Sequence, residues 1–270
     1  SAAFLRSARF SLNRTIHTLF FSPTHSSREI ARTLADGLAV SLGGEQKIRD
    51  LTFPPEREES LDCAPGDVLV FAFPVYAGRV PQLLEAPLAR VRGNGATAVV
   101  AAVYGNRDYD DALLEAVDLL TRRGCTVAAA GAFIAEHSLA PGVGAGRPDA
   151  EDKCVLADFA RRAAAKIAAG NPAPVSVKGN RPYKERGPAT DIRPKTTDAC
   201  SQCMICVQGC PMGVISEDDP HQVAAGCIRC CACVKFCPVE AKYFDDPNVA
   251  KIRAMLESRC TARREPELFL

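Results

Sequence analysis

Nine of the thirteen cysteines fall between Cys200 and Cys237. Eight of the nine form two runs with one spacing, C-x2-C-x2-C-x3-C-P. Cys200, Cys203, Cys206 and Cys210 precede Pro211; Cys227, Cys230, Cys233 and Cys237 precede Pro238. Steps of three residues let a tight loop present successive thiolates to neighbouring iron atoms of one sulfide-bridged cube. Zinc takes two well-separated C-x2-C pairs, so two four-cysteine runs, each closed by proline, point to iron. The proline ends the local turn and brings no N–H that would need a partner. Cys231 is left over. It stands where the first run has Met204 and reads as a small uncoordinated residue, with a spare ligand as the alternative.

A second stretch offers different chemistry. "FFSPTHSSREIA" (20–31) leaves an apolar run, passes through Ser22, Thr24, Ser26 and Ser27, and enters a helical pattern. Hydroxyls beside the free N–H groups and positive dipole end of a helix suit a phosphate monoester. The G-x-G-x-x-G of a dinucleotide site and the G-K-[ST] of a P-loop are both absent.

These residues need a scaffold. Residues 16–170 alternate short apolar runs with helical patterns. The runs are "IHTLFF" (16–21), "VLVFAF" (68–73), "TAVVAAVY" (97–104) and "CTVAAAGAF" (125–133). Between them lie a helix starting at Ser26 through a Ser26–Glu29 capping box, with Ile30, Leu34 and Leu38 on one face, and another over 109–120. A further helix starts near Asp149. Repeated β-then-α units predict a parallel sheet covered on both faces. The loops after three strands, 22–27, 74–81 and 104–111, then gather at the carboxyl ends of the strands, where such sheets bind ligands. Residues 171–195, rich in Pro, Gly and charge, read as a flexible linker. The cysteine segment spans 196–245, and 246–270 reads as a short helix and tail. Residues 1–15 hold three arginines and no acid; without the apolar core of a secretion signal they read as a flexible leader.

Bulk properties narrow the function. A formal net charge of +1 and 47% hydrophobic residues describe a globular chain that does not advertise nucleic acid as partner. No apolar run is long enough to span a bilayer. The cysteines are clustered and the chain can build a core, so a secreted disulfide scaffold is disfavoured and a reducing, cytoplasmic setting fits.

The segment 196–245 resembles bacterial two-cluster ferredoxins, with Gly213, Val214 and Ile215 after the first proline and Ala241 after the second in keeping. The resemblance implies two [4Fe–4S] clusters with crossed ligands: Cys200, Cys203, Cys206 and Cys237 for one, Cys227, Cys230, Cys233 and Cys210 for the other. The three loops together resemble flavodoxin. This implies a doubly wound, five-stranded parallel sheet holding FMN, its phosphate on Ser22, Pro23, Thr24, His25, Ser26 and Ser27. The ring would lie against Pro74, Val75, Tyr76, Ala77 and Gly78, and against Tyr104, Gly105, Asn106, Arg107, Asp108 and Tyr109, with the tyrosines as an aromatic wall. His25 departs from the pattern, since flavodoxins usually carry glycine there: its Cβ would crowd the phosphate at positive φ, or an imidazolium would bond it, or the side chain faces solvent. Flavodoxin first and ferredoxin second resembles a family of ferredoxin–flavodoxin fusion proteins. Its motifs "EHS" (136–138) and "GRPD" (146–149) also occur here without an evident chemical role. The expected function is electron relay through FMN and two clusters, between a low-potential donor and a downstream reductase. The alternatives are an FMN-dependent reductase of a small substrate, fed by its clusters, and a flavodoxin half that serves only as an FMN-free docking module.

Overall fold

The computed structural model describes residues 14–188 and 190–270; most of the expected leader, residues 1–13, lies outside the described residues. The first part of the chain runs β1 (Thr15–Phe20), α1 (Ser26–Leu42), β2 (Glu45–Asp50), α2 (Pro54–Glu58), β3 (Leu61–Asp62) and β4 (Val68–Pro74). It continues through α3 (Glu85–Ala89), β5 (Val91–Arg92), β6 (Thr97–Tyr104), α4 (Ala112–Arg122), β7 (Thr126–Ile134) and α5 (Ala150–Ala168). Beyond these lie β8 (Lys195–Thr196), α6 (Ile205–Gln208), α7 (Ala232–Lys235), β9 (Lys242–Tyr243), α8 (Pro247–Arg259) and β10 (Glu267–Phe269).

The main sheet is ordered β10-β7-β6-β4-β1-β2, and all its pairings are parallel except β10 with β7. Counting only the parallel strands, the order is the 2-1-3-4-5 of flavodoxin-like sheets. The expected five strands are therefore joined by a sixth, antiparallel one from a segment read as tail. β4 and β6 are apolar throughout because both faces are covered. Along β4, Val68, Val70 and Ala72 face α1 and α5, while Leu69, Phe71 and Phe73 join the core beneath α4. Helix α1 presses on α5 closely enough that a Cβ on Gly37 would meet that of Ala160.

Residues 171–195 are not a free linker. Val175 donates its N–H to Val127 O at 2.9 Å, and Val175 and Val177 pack on the core. Buried Asp111 accepts the N–H groups of Asn180 at 2.7 Å and Lys184 at 2.6 Å. Asp118 accepts from Arg181 and Tyr183, and Arg186 pairs with Glu85 and Glu115. The segment is a strap along α4, fixed by carboxylates of a helix that periodicity reads only for its apolar face. Among the described residues, no helix is long and apolar enough to cross a membrane.

One buried charge pins the base of the sheet. Asp67 accepts the N–H groups of Thr15 and Ala64, both at 2.8 Å, and lies 3.0 Å from His17 Nε2. Burial alone would raise its pKa, but the two N–H groups and His17 outweigh that and hold the carboxyl below its usual value. Asp67→Ala leaves two part-buried N–H groups and the buried His17 imidazole without their acceptor, and the expected cost is about 3 kcal/mol in urea unfolding. A folded-state pKa below the unfolded one makes this stabilisation complete above pH ~4 and lost as pH falls through the depressed value. The gap between wild type and variant therefore narrows under acid.

Candidate functional site

The cysteine segment folds as two copies of one local path. β8 and β9 pair antiparallel at its base, and Ile215 bridges Val223. In the first run Gln202 and Met204 have positive φ, 52° and 60°; in the second Arg229 and Cys231 match them at 55° and 63°. Each left-handed residue after the second cysteine leads into a one-turn helix, α6 or α7, which carries the third cysteine. The fourth lies past the helix and is turned away from the first three.

The result is two cavities. Cys210, Cys227, Cys230 and Cys233 line one, of about 360 Å³ and partly open to solvent, together with apolar groups such as Ile215 and Ile228. Cys200, Cys203, Cys206 and Cys237 line the other, of about 300 Å³. Each run thus contributes three thiols to one cavity and its fourth to the other. Among the described residues, no three thiol, imidazole or carboxylate groups close on the point a single ion would occupy. Four thiols around a cavity suit a polynuclear cube better than a mononuclear ion. Backbone N–H groups already point at sulfur, from Ala241 to Cys237 Sγ at 3.1 Å and from Arg229 to Cys227 Sγ at 3.4 Å. Burial pushes the Cys230 and Cys233 thiols up to about 12, so binding metal there must displace protons. For Cys237 burial acts the same way, but the N–H groups of Val239, Ala241 and Lys242 outweigh it and lower its pKa.

Cys231 also lines the first cavity. It is 2% exposed, and its thiol lies 3.5 Å from Arg229 O, as a donor. Burial raises its pKa to about 12. It holds the left-handed corner that Met204 holds in the first run, and a small side chain fits that corner. Cys231→Ala is expected to retain the wild-type iron and acid-labile sulfide per chain; loss of half would identify it as a ligand.

At the hydroxyl loop, β1 feeds α1 as expected, but not through a capping box. The N-cap is His25, with φ 74° and no side-chain cap bond. Ser22 Oγ instead accepts Arg28 N–H at 2.9 Å, and Thr52 Oγ1 accepts Ser22 N–H at 3.0 Å. Among the described residues, the N–H groups of Thr24, Ser26 and Ser27 take no partner. The donors suited to an anion are therefore in place, yet His25 lies over the loop with its ring centroid 4.6 Å from that of Phe236. Partial burial and then Arg28 lower the His25 pKa, which disfavours an imidazolium aimed at a phosphate.

The ring-facing loops depart further from expectation. Pro74–Gly78 turns tightly, Tyr76 and Arg79 exchanging two backbone bonds of 3.0 Å across Ala77 and Gly78 at positive φ. Asp111 N–H donates to Gly78 O at 3.1 Å, and Asp110 packs on Gly78 so closely that a Cβ there would clash. The two loops thus touch each other. Gly105 is covered by His137 in the same way. Tyr104 and Tyr109 are buried in the core, edge to face at 5.6 Å, and Tyr109 donates to Glu267 at 2.9 Å. Tyr76 meets Phe21 edge-on, and burial, then the charges of Cys230, Cys231 and Cys227, raise its pKa.

The C-terminal segment occupies the rest of that third loop. Asn106, 3% exposed, donates to Cys260 O at 2.7 Å and Ala262 O at 2.8 Å and accepts Arg264 N–H at 3.2 Å. Arg264 bonds Arg107 O and Asp108, and Arg107 pairs with Asp110. The aromatic wall expected of Tyr76, Tyr104 and Tyr109 does not form: two rings are core and the third packs edge-on against Phe21. The phosphate end keeps its donors, whereas the ring half does not fit a flavin in this arrangement.

The sequence reading missed the residues that join the halves. Phe236 stacks on His25, Lys235 pairs with Glu136 at 3.1 Å, Arg57 donates to Pro211 O, and Ile228 packs on the sheet core. These explain part of "EHS": Glu136 docks the cysteine domain and His137 covers Gly105. In "GRPD", Arg147 pairs with buried Asp152 and Asp149 caps α5. The family resemblance alone marked these two motifs in the sequence.

No protein-family model matches the chain, and no curated protein matches it. Among solved structures it is similar to a flavodoxin of Streptococcus pneumonia TIGR4, at 23% identity over 57% of this chain and 99% of that one, with a TM-score of 0.39. A short-chain flavodoxin associated with a non-canonical PDU bacterial microcompartment is 20% identical over 57% of this chain and 98% of its own, TM-score 0.42. The rubredoxin oxygen:oxidoreductase of Desulfovibrio gigas is 14% identical over 62% of this chain and 39% of its own, TM-score 0.40.

Proposed function

We propose that this chain is an electron-transfer protein with two [4Fe–4S] clusters, one on Cys200, Cys203, Cys206 and Cys237 and one on Cys210, Cys227, Cys230 and Cys233. The observation that carries the reading is the gathering of the eight thiols, four and four, around two cavities. When bound, such a cube takes up or gives up one electron. The chain's own part is to hold thiolates at fixed positions, to donate N–H groups to their sulfurs, and to keep water from the apolar cavity wall. Each of these tunes a cluster's potential. The flavodoxin-like half acts as the body on which the cysteine domain docks, and electrons pass between protein partners, a low-potential donor and a downstream reductase. The test is anaerobic reconstitution with ferrous iron and sulfide: iron and acid-labile sulfide in equal amounts, with a broad visible band bleached by dithionite, is the expected result. Zinc retention without sulfide would overturn it.

A second reading, FMN-linked relay, is favoured by the uncommitted N–H groups of Thr24, Ser26 and Ser27 at the start of α1. The contact between the loops 74–81 and 104–111, and their engagement with the C-terminal segment, weigh against it. Titrating FMN into the reconstituted protein decides between them. Quenching of flavin fluorescence at one FMN per chain supports the relay, and its absence supports the docking body.

A further inference from the structure

The two cavities face different surroundings. The cavity of Cys210, Cys227, Cys230 and Cys233 abuts the sheet domain: Ile228 packs on the sheet core, and Pro211 O accepts from Arg57. Among the described residues, no hydrogen bond, ion pair or ring contact joins the lining of the other cavity to the sheet domain. That lining includes exposed Cys203. Val239 of the lining is 42% exposed, and Ile205, which follows lining residue Met204 in the chain, is 43% exposed. Apolar surface of this kind, rimmed by polar groups, marks contact sites.

Acidic residues flank the lining residues along the chain. Asp198, Glu217, Asp218 and Glu240 are exposed, and among the described residues none of their carboxylates takes part in an ion pair. Glu217 and Asp218 lie on the turn that ends in Pro220, itself part of the cavity wall. The neighbouring cations are committed: Lys195 pairs with Asp245 at 2.7 Å, and buried Lys242 donates to Pro220 O.

We propose that the cavity of Cys200, Cys203, Cys206 and Cys237 is the port through which electrons leave, and that its rim docks a redox protein whose own centre is ringed by lysine and arginine. This rests on the cluster reading above. One electron leaves the reduced cube, which returns to its oxidised state, and the acceptor's centre gains that electron; no bond is made or broken. Apolar residues at the middle of the contact bring the centres close, while the carboxylates steer encounter and set orientation.

The test uses the full reconstituted chain, reduced with dithionite, and a cationic c-type cytochrome as acceptor. Binding is read by calorimetry on the oxidised proteins, and transfer by stopped flow. Affinity and rate are both expected to fall about tenfold or more between low salt and 0.3 M salt. Glu217→Lys with Asp218→Lys is expected to weaken both about tenfold at low salt while iron, sulfide and the rate with a neutral quinone stay at wild-type values. Asp158→Lys on α5 changes the net charge away from the rim and is expected to leave both unchanged. Salt-independent binding, a double variant that binds as wild type, or an Asp158→Lys chain weakened equally would overturn the port. Lack of acid-labile sulfide in the wild type would instead overturn the cluster reading, and it is seen before any cytochrome is added.

Discussion

Cys210→Ala is expected to lose half of the iron, and adding Cys227→Ala is expected to cost no more. Cys210 and Cys227 belong to different runs but line one cavity, so removing either disables the same cluster and removing both repeats the damage. Cys210→Ala with Cys200→Ala strikes both cavities and is expected to abolish iron binding, although both residues lie in one run. Run-by-run ligation would reverse the two results. Non-additivity of this kind reports shared membership of a site without requiring that any single variant keep its full stability. The helices α6 and α7 impose the crossing: after the third cysteine the chain turns through one helical turn and emerges on the side of the other cavity. Iron and sulfide analysis of the three variants, with visible spectra, settles the pairing.

How much of this was legible in the sequence depends on which force fixes each part. β4 and β6 are continuous apolar runs because both their faces are covered, and such runs stand out in any chain. Edge strands do not. β2, "EQKIRD", is mostly exposed, and its charges suit an edge that must not pair further, so it carries no apolar signal. β10 was equally hidden: three residues of a polar tail become a strand only because β7 offers an open edge. The strap over α4 read as a linker since its anchors, Asp111 and Asp118, lie some sixty residues upstream and bond mostly to backbone and charged groups. The cysteine runs were legible because their spacing repeats along the chain itself and needs no distant partner to be read. The flavin loops show the opposite case. Tyr76, Tyr104 and Tyr109 occur where a ring-binding wall would need them, but residue type does not fix direction. Two of these rings turned into the core, and the space beside them went to Asn106 and the C-terminal segment.

That segment sets up the second large effect. Truncation after Arg259 is expected to destabilise the sheet domain by on the order of 4 kcal/mol and to promote association. Three losses combine. β10 caps the β7 edge, with Glu267, Leu268 and Phe269 opposite Ala132, Gly131 and Ala130, and an uncovered edge is a template for another chain. Leu268 and Leu270 pack on one core layer and Phe269 on the other, so apolar contact is lost on both faces. Asn106, buried, loses both its acceptors and its donor, and Tyr109 loses the carboxylate of Glu267. Each buried polar group left without a partner costs about 1–3 kcal/mol. Asn106→Ala in the full chain isolates the latch from the edge: it removes the side chain, leaves β10 paired, and is expected to cost about 2 kcal/mol without association. Urea unfolding followed by circular dichroism measures both costs, and sedimentation measures association. A truncated chain that unfolds at the wild-type urea concentration would mean that the segment merely lies on the domain. A truncated chain that weakens no more than Asn106→Ala would mean that the latch alone holds it, with the added strand contributing nothing.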